Sequence, residues 1–302
     1  MTPNQAMTDS DRKMNVKLGV VTVLYNSDAV LGGFFASLAG QRNVDFTLYV
    51  IDNSEQATGS KLAEALAALH NISCDVVFNN CNVGVAKGNN QGIRRALQDK
   101  CTHILLANND TEFEFDAFER LLEPLLTEGE VASTCRIAYF DDPEKLWFEY
   151  GDIYPIRALS PHLTCEVAAG EDRRYTPYAP TCFLMLSASV ISMVGFMDEE
   201  YFVYYDDSDF VWRMRKANLR IRLIAQTMVL HKVSASTGGE SSPFSLYYMH
   251  RNRIKFARKH NRFPTILFSL AYIYATRIYR ISRMPKQKRY AAWKGLRDGL
   301  RA

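Results

Sequence analysis

The sequence predicts an α/β protein with a doubly wound, mostly parallel sheet. Three observations carry that prediction. Apolar, β-rich runs alternate strictly with helical patterns over the first 126 residues. The strand runs are continuously apolar, as strands buried on both faces are. Each run closes on a polar cluster: Tyr25-Asn26, Asp52-Asn53, Asn80-Cys81-Asn82 and Asn108-Asn109-Asp110. Ligands of such sheets bind beyond the carboxyl ends of the strands, so these clusters mark a site before any motif is considered.

The elements follow in order. Residues 16–24, 46–51, 73–78 and 103–107 read as strands. The helix over 28–39 places Leu31, Phe34, Phe35 and Leu38 on one face. Helices over 59–70, with Leu62, Leu66 and Leu69 as its apolar positions, 88–99 and 115–126 complete the alternation. Beyond about residue 130 the pattern changes. Residues 131–139 and 148–154 read as strands joined by the acidic turn Asp141-Asp142-Pro143. Residues 155–178 are irregular, 181–187 a strand and 190–194 a short helix. Residues 201–205 read as a strand running into Asp206-Asp207-Ser208-Asp209, before a helix over 210–217 closed by a left-handed Asn218. Strands over 221–224 and 227–231, a small-residue loop over 234–242 and basic, aromatic-rich helices complete the chain.

Composition bounds the function. In 302 residues, 47% hydrophobic and 23% charged side chains exclude disordered, collagen-like and coiled-coil chains. The net charge of +3 conceals an asymmetry. Residues 251–302 hold 15 Lys/Arg against one acid, Asp298, a charge of +14, so the rest of the chain carries −11. Six cysteines without a CxxC pair read as reduced thiols and argue against a zinc site. Residues 1–15 are polar, lack the apolar centre of a signal peptide and read as a loose tail. The apolar run 263–276 spans 14 residues, short of the ~20 that cross a bilayer. A cytoplasmic protein is expected.

Four constellations carry chemistry. Asp110, at a strand end, either holds a divalent ion that bridges a diphosphate or caps the next helix. The run from Asn82 to Gly92 holds three glycines and four amides at a helix start. Its glycines serve either an anion approaching the helix N-terminus or a left-handed turn with close packing. Three carboxylates within Asp206–Asp209 exceed what capping needs and point to a cation or to one acid of raised pKa. At a helix start, Asp206 and Asp209 share a face and Asp207 points elsewhere. His231, closing a strand before a Gly-rich loop, is either structural or a metal ligand.

In these constellations the chain resembles the inverting family 2 glycosyltransferases of the GT-A fold, such as bacterial rhamnosyltransferases and galactofuranosyltransferases of surface polysaccharides. The matching segments are VTVLYNS (21–27), IDNS (51–54), NVGVAKGNNQG (82–92), LLANND (105–110), GFMDEEYFVYYDDSDFVWRMRKAN (195–218), LHKVSASTGG (230–239) and YYMHRNRIKFARKH (247–260). The resemblance implies a nucleotide-sugar-binding half over 16–130, an acceptor and catalytic half over 131–242, and a helical extension over 243–302. It implies that Val23, Tyr25, Asn26 and Asp52 hold base and ribose, and that Asn82, Gly84, Lys87, Asn90, Asn108, Asn109, Arg251 and Arg253 lie with the donor. Asp110 stands as the last acid of the family's DxD element, whose first acid is Asn108 here, and His231 as a further ligand to Mg²⁺ or Mn²⁺. Asp207 stands as the general base, with Asp206 where Glu is commoner. Thr181 and Asp209 fall on the acceptor side, with Pro180-Thr181 where a glycine is usual.

The expected reaction is inverting, metal-assisted transfer from a dTDP-rhamnose or UDP-hexose type donor to a hydroxyl of a glycan or lipid-linked acceptor, in O-antigen-like or capsule-like polysaccharide synthesis. A nucleotidyltransferase is disfavoured, because its Gly-rich loop follows the first strand, where Tyr25-Asn26-Ser27 stands here. Nucleic acid is not an expected partner. The basic tail, interleaved with aromatics, instead fits an anionic membrane surface, the inner face of the cytoplasmic membrane.

Overall fold

The computed structural model describes residues 16–163, 174–233 and 241–302. The loose tail expected over 1–15, Cys165 and most of the loop expected over 234–242 lie outside the described residues. The first half contains β1 (Leu18–Leu24), α1 (Asp28–Ala39), β2 (Phe46–Asp52), α2 (Thr58–Leu69), β3 (Cys74–Phe78), α3 (Val85–Gln98), β4 (His103–Ala107), β5 (Thr111–Phe113) and α4 (Ala117–Thr127). The second contains β6 (Ala132–Tyr139), β7 (Asp142–Phe148), β8 (Tyr150–Gly151), β9 (His162–Leu163), β10 (Tyr175–Thr176), β11 (Phe183–Ser187), α5 (Ala188–Val194), α6 (Asp206–Lys216) and β12 (Ile221–His231). Three helices follow: α7 (Pro243–His260), α8 (Thr265–Ser282) and α9 (Lys286–Gly299).

The central sheet runs β10-β12-β6-β11-β4-β1-β2-β3, with β5 added to β12 and β7 to β6. Strands β3, β2, β1 and β4 are parallel, as the alternation predicts. β11 inserts antiparallel between β4 and β6, and β6 and β12 form a second parallel pair. In β1 every residue but Val23 is buried, which explains its unbroken apolar run.

Several local expectations are corrected. α2 buries Gly59, Ser60, Ala63 and Ala67 and leaves Leu69 71% exposed. Small residues allow this helix to lie close to α1 and β3, with Leu62 and Leu66 half-buried at the flanks of that face and Leu69 turned to solvent. The acidic segment joining β6 and β7 is a tight hairpin, because Tyr139 pairs with Asp142 and draws Asp142 and Pro143 into β7. The two strands expected over 221–231 are one, β12, with a register shift between Ile224 and Met228. Residues 201–205 are not a strand. Tyr204 and Tyr205 both have left-handed backbones, with φ of 61° and 67°, and turn the chain directly into α6.

Among the described residues no helix is long and apolar enough to cross a membrane. α8 turns Ser269, Ile273 and Ile281 inward. Leu267, Phe268, Tyr272, Ile278 and Tyr279 form an outward stripe at helical spacing, with Phe268 69% exposed.

Candidate active site

A cleft of about 710 Å³ opens at the carboxyl ends of β1 and β4, facing the N-terminus of α6. It lies where the chain order of the strands reverses, with β2 on one side of β1 and β4 on the other. Of the sequence-predicted residues it brings together Val23, Tyr25, Asn82, Gly84, Asn108, Asn109, Asp110, Thr181, Asp206, Asp207 and His231.

One wall is built by strand pairing. β5 lies antiparallel to β12 with Thr111 opposite His231, and the Lys232 N–H donates to the Asp110 carbonyl at 2.9 Å. Asp110 Oδ1 therefore sits 3.2 Å from His231 Nε2. The two are not aligned as a hydrogen bond, and Asp110 Oδ1 and His231 Nδ1 are buried without hydrogen-bond partners. Trp147 packs edge-on against the His231 ring, with centroids 4.7 Å apart. A buried, unpartnered carboxylate oxygen beside an imidazole nitrogen fits a divalent cation, which relieves the cost of leaving that oxygen bare. Among the described residues no three His, Cys, Asp or Glu side chains cluster to hold an ion. An ion held by this pair would draw its remaining ligands from substrate oxygens and water, as Mg²⁺ sites commonly do. Asn109 closes the corner, donating from Nδ2 to the Val23 carbonyl at 2.7 Å.

The facing wall is the start of α6. Asp207 Oδ2 accepts from Tyr178 Oη at 2.5 Å, and Oδ1 accepts from Ser208 N and Oγ at 2.6 and 3.1 Å. Ser160 Oγ donates to Ser208 Oγ at 2.9 Å and extends the network. Of the roughly four acceptor positions of a carboxylate, three are filled and one remains, on Oδ2. Asp206 is buried beside it. Burial first, and the Asp207 carboxylate second, raise the Asp206 pKa well above the usual carboxylate range. The turn at Tyr204 and Tyr205 is clamped from behind by α7. Asn252 Nδ2 donates to the carbonyls of Val203 and Tyr204 at 2.8 and 2.9 Å, and its Oδ1 accepts from Arg251 Nη1 at 2.8 Å.

A family model for glycosyl transferase family 2 matches residues 19–194. The chain belongs to that family. Among curated proteins it is similar to the dTDP-rhamnosyl transferase RfbF of Shigella flexneri, 25% identical over 289 residues, which cover 90% of this chain and 93% of that one. Among solved structures it is similar to GalNAc-T7 with UDP, GalNAc and Mn²⁺, at a TM-score of 0.66 and 15% identity, covering 94% of this chain and 54% of that one. It is also similar to the mannosyltransferase PcManGT of Pyrobaculum calidifontis in complex with GDP-Man and Mn²⁺, at a TM-score of 0.59 and 12% identity, covering 94% and 84%. These likenesses establish the GT-A fold.

Within this family 2 glycosyltransferase, several predicted residues lie away from the cleft. Asp209 is fully buried on the face of α6 that meets α7, where Arg213, Lys259 and His260 surround it at 2.9, 2.7 and 2.8 Å. Burial alone raises its pKa, but hydrogen bonds from His260 and Lys259 and nearby cations override this and hold it at about 2. His260 Nδ1 accepts from Lys216 Nζ, so the ring donates to Asp209 as the Nε2–H tautomer. Asp206 and Asp209 therefore serve different surroundings, while Asp206 and Asp207 share the cleft. Asp52 accepts from Ser54 N, Ser60 N and Ser60 Oγ and caps α2. Asn26 and Lys87 are exposed outside the cleft lining. Asn90 is buried and bonded to both the N–H and the carbonyl of Met197. Arg251 bonds the Glu200 carbonyl, and Arg253 the Arg157 carbonyl.

The glycines follow the packing alternative. Gly84 has φ of 88°, and a Cβ there would lie 2.6 Å from the Phe202 carbonyl. A Cβ on Gly88 or Gly92 would press on Val23 or Val21, so α3 lies directly on β1. Sequence reasoning missed Tyr178, Ser160, Trp147 and Asn252. The first three sit in irregular or edge segments without periodicity, and Asn252 reaches the turn only through tertiary packing.

Proposed function

We propose that this glycosyltransferase moves a sugar, with inversion, from a dTDP-rhamnose or UDP-hexose type donor to a hydroxyl of a glycan or lipid-linked acceptor. The observation that carries this reading is the cleft itself, with the Asp110–His231 pair on one wall and Asp207 on the other. Asp110 and His231 are the residues that would hold a Mg²⁺ or Mn²⁺ ion, whose chemistry when bound is neutralisation of charge on the leaving diphosphate. Asp207 acts as general base, accepting the acceptor hydroxyl proton at the remaining position on Oδ2. A positioned base of this kind contributes ~10²–10⁴-fold. Tyr178 and Ser208 fix its rotamer, which sets the direction from which the hydroxyl attacks. Asp206, kept neutral by burial and by its neighbour, avoids a second negative charge beside the base.

The reading places this activity in surface-polysaccharide synthesis at an anionic membrane. Support comes from the outward apolar stripe of α8 and the +14 charge of residues 251–302. Thermal stabilisation and slow hydrolysis across a panel of nucleotide sugars, with and without Mn²⁺, test the donor. One dTDP- or UDP-linked sugar should stand out in a metal-dependent way. A uniform absence of stabilisation would remove the donor assignment.

A further inference from the structure

A second pocket, of about 500 Å³, lies between α8, α7 and the loop at Leu159. Three arginines line it, Arg253, Arg277 and Arg280, with Tyr272 and Tyr279 beside them and no carboxylate in its lining. Arg253 is only 3% exposed. Its Nε and Nη2 donate to the Arg157 carbonyl at 3.1 and 2.7 Å, but its Nη1 is buried without a partner. Arg277 Nε is likewise buried and unpartnered. Neighbouring bases on α7 differ: Lys255 pairs with Glu200, and Lys259 with Asp198 and Asp209. Burying a guanidinium without a counter-charge is costly, and gathering three around one hollow compounds it. A bound anion removes both costs, and a guanidinium fork matches phosphate oxygens.

Position narrows the anion. Leu159 lines both this pocket and the catalytic cleft, so the two are neighbours. Tyr272 and Tyr279 also belong to the outward apolar stripe of α8, so the pocket opens onto that face. We propose that Arg253, Arg277 and Arg280 form a binding site for the phosphate or diphosphate of an amphiphilic acceptor whose apolar chain lies along α8. The anion site stands on its own observations; the word acceptor rests on the glycosyl-transfer reading.

Calorimetry on the full chain with inorganic pyrophosphate in EDTA tests the site without metal or donor. Arg277 and Arg280 make no ion pair among the described residues, so the double variant Arg277→Gln/Arg280→Gln should keep the wild-type melting temperature. Pyrophosphate should bind the wild type and bind this variant at least about tenfold more weakly, the scale of one lost charge-assisted hydrogen bond. It should bind Asp110→Ala as it binds the wild type. No binding to the wild type, equal binding to the double variant, or loss in Asp110→Ala would each overturn the site. Neutral vesicles carrying a long-chain alkyl diphosphate or an equal fraction of phosphatidylglycerol then separate the sources. A variant defect confined to the diphosphate vesicles supports the acceptor assignment. An equal defect on both overturns it in favour of a headgroup phosphate. A silent donor panel with intact pyrophosphate binding would remove the donor assignment, and with it the word acceptor, and leave the anion site standing.

Discussion

Replacing Asn252 by leucine should uncouple the turn before Asp206 and Asp207 from the helix that holds it. The side chain is fully buried and donates to two carbonyls, those of Val203 and Tyr204, at 2.8 and 2.9 Å. Leucine fills similar space but donates nothing, so both acceptors lose a partner. At about 2 kcal/mol for each of two unsatisfied groups, less about 1 kcal/mol of strain released at each of Tyr204 and Tyr205 as they leave their left-handed conformations, the net loss is about 2 kcal/mol. For a chain of this size that lowers the melting temperature by roughly 3 °C. The same relaxation displaces Asp206 and Asp207, which follow Tyr205 directly. A displacement of about 1 Å costs on the order of 100-fold in rate. Differential scanning calorimetry and initial rates with saturating donor give the two numbers, and donor affinity should change less than threefold. A lower melting temperature with unchanged kcat would refute the role of Asn252 in positioning the base. No change in either would refute the energetic reading as well.

Three further predictions follow from local geometry. Asp209, held at about 2 within its cationic cluster, has a depressed folded pKa, so its stabilisation is present above the unfolded value and lost as pH falls through the folded one. Wild type should thus lose about 2 kcal/mol between roughly pH 4 and pH 2 that Asp209→Asn does not lose, measured by urea unfolding at each pH. Identical pH slopes would contradict the cluster's role. Gly84→Ala forces a Cβ against the Phe202 carbonyl at a φ of 88°; it should cost at least about 1–2 kcal/mol, read as a lower melting temperature. Asp110→Ala should abolish the Mn²⁺-dependent component of donor binding in a titration, whereas unchanged metal dependence would move the ion elsewhere.

Much of the parallel half was legible, because β1 and β4 bury both faces and announce themselves as apolar runs ending in polar clusters. Strand ends alone marked Asp110; it was the resemblance to family 2 glycosyltransferases that grouped it with His231 and Asp207, which the cleft brings together. Where expectation failed, tertiary contacts had overridden local pattern. In α2 the small residues take the buried face and Leu69 is left outside it, and residues 201–205, rich in β-formers, are held in a left-handed turn by Asn252 from α7. Asp52 and Asn90 carry recognisable motif positions, yet their polar atoms are taken up by the α2 cap and by Met197. Arg253 was expected beside the donor; an irregular loop, which has no sequence signature, draws it to a separate pocket.

The central claim is that Asp207 is the base of the transfer. Single-turnover kinetics of Asp207→Asn, with the donor found in the panel and its acceptor, test it most directly. The amide preserves the shape of the side chain and still accepts through one oxygen, so donor affinity should stay within a few-fold of wild type while the chemical step slows by about 10²–10⁴-fold. A chemical step within a few-fold of wild type would contradict the account.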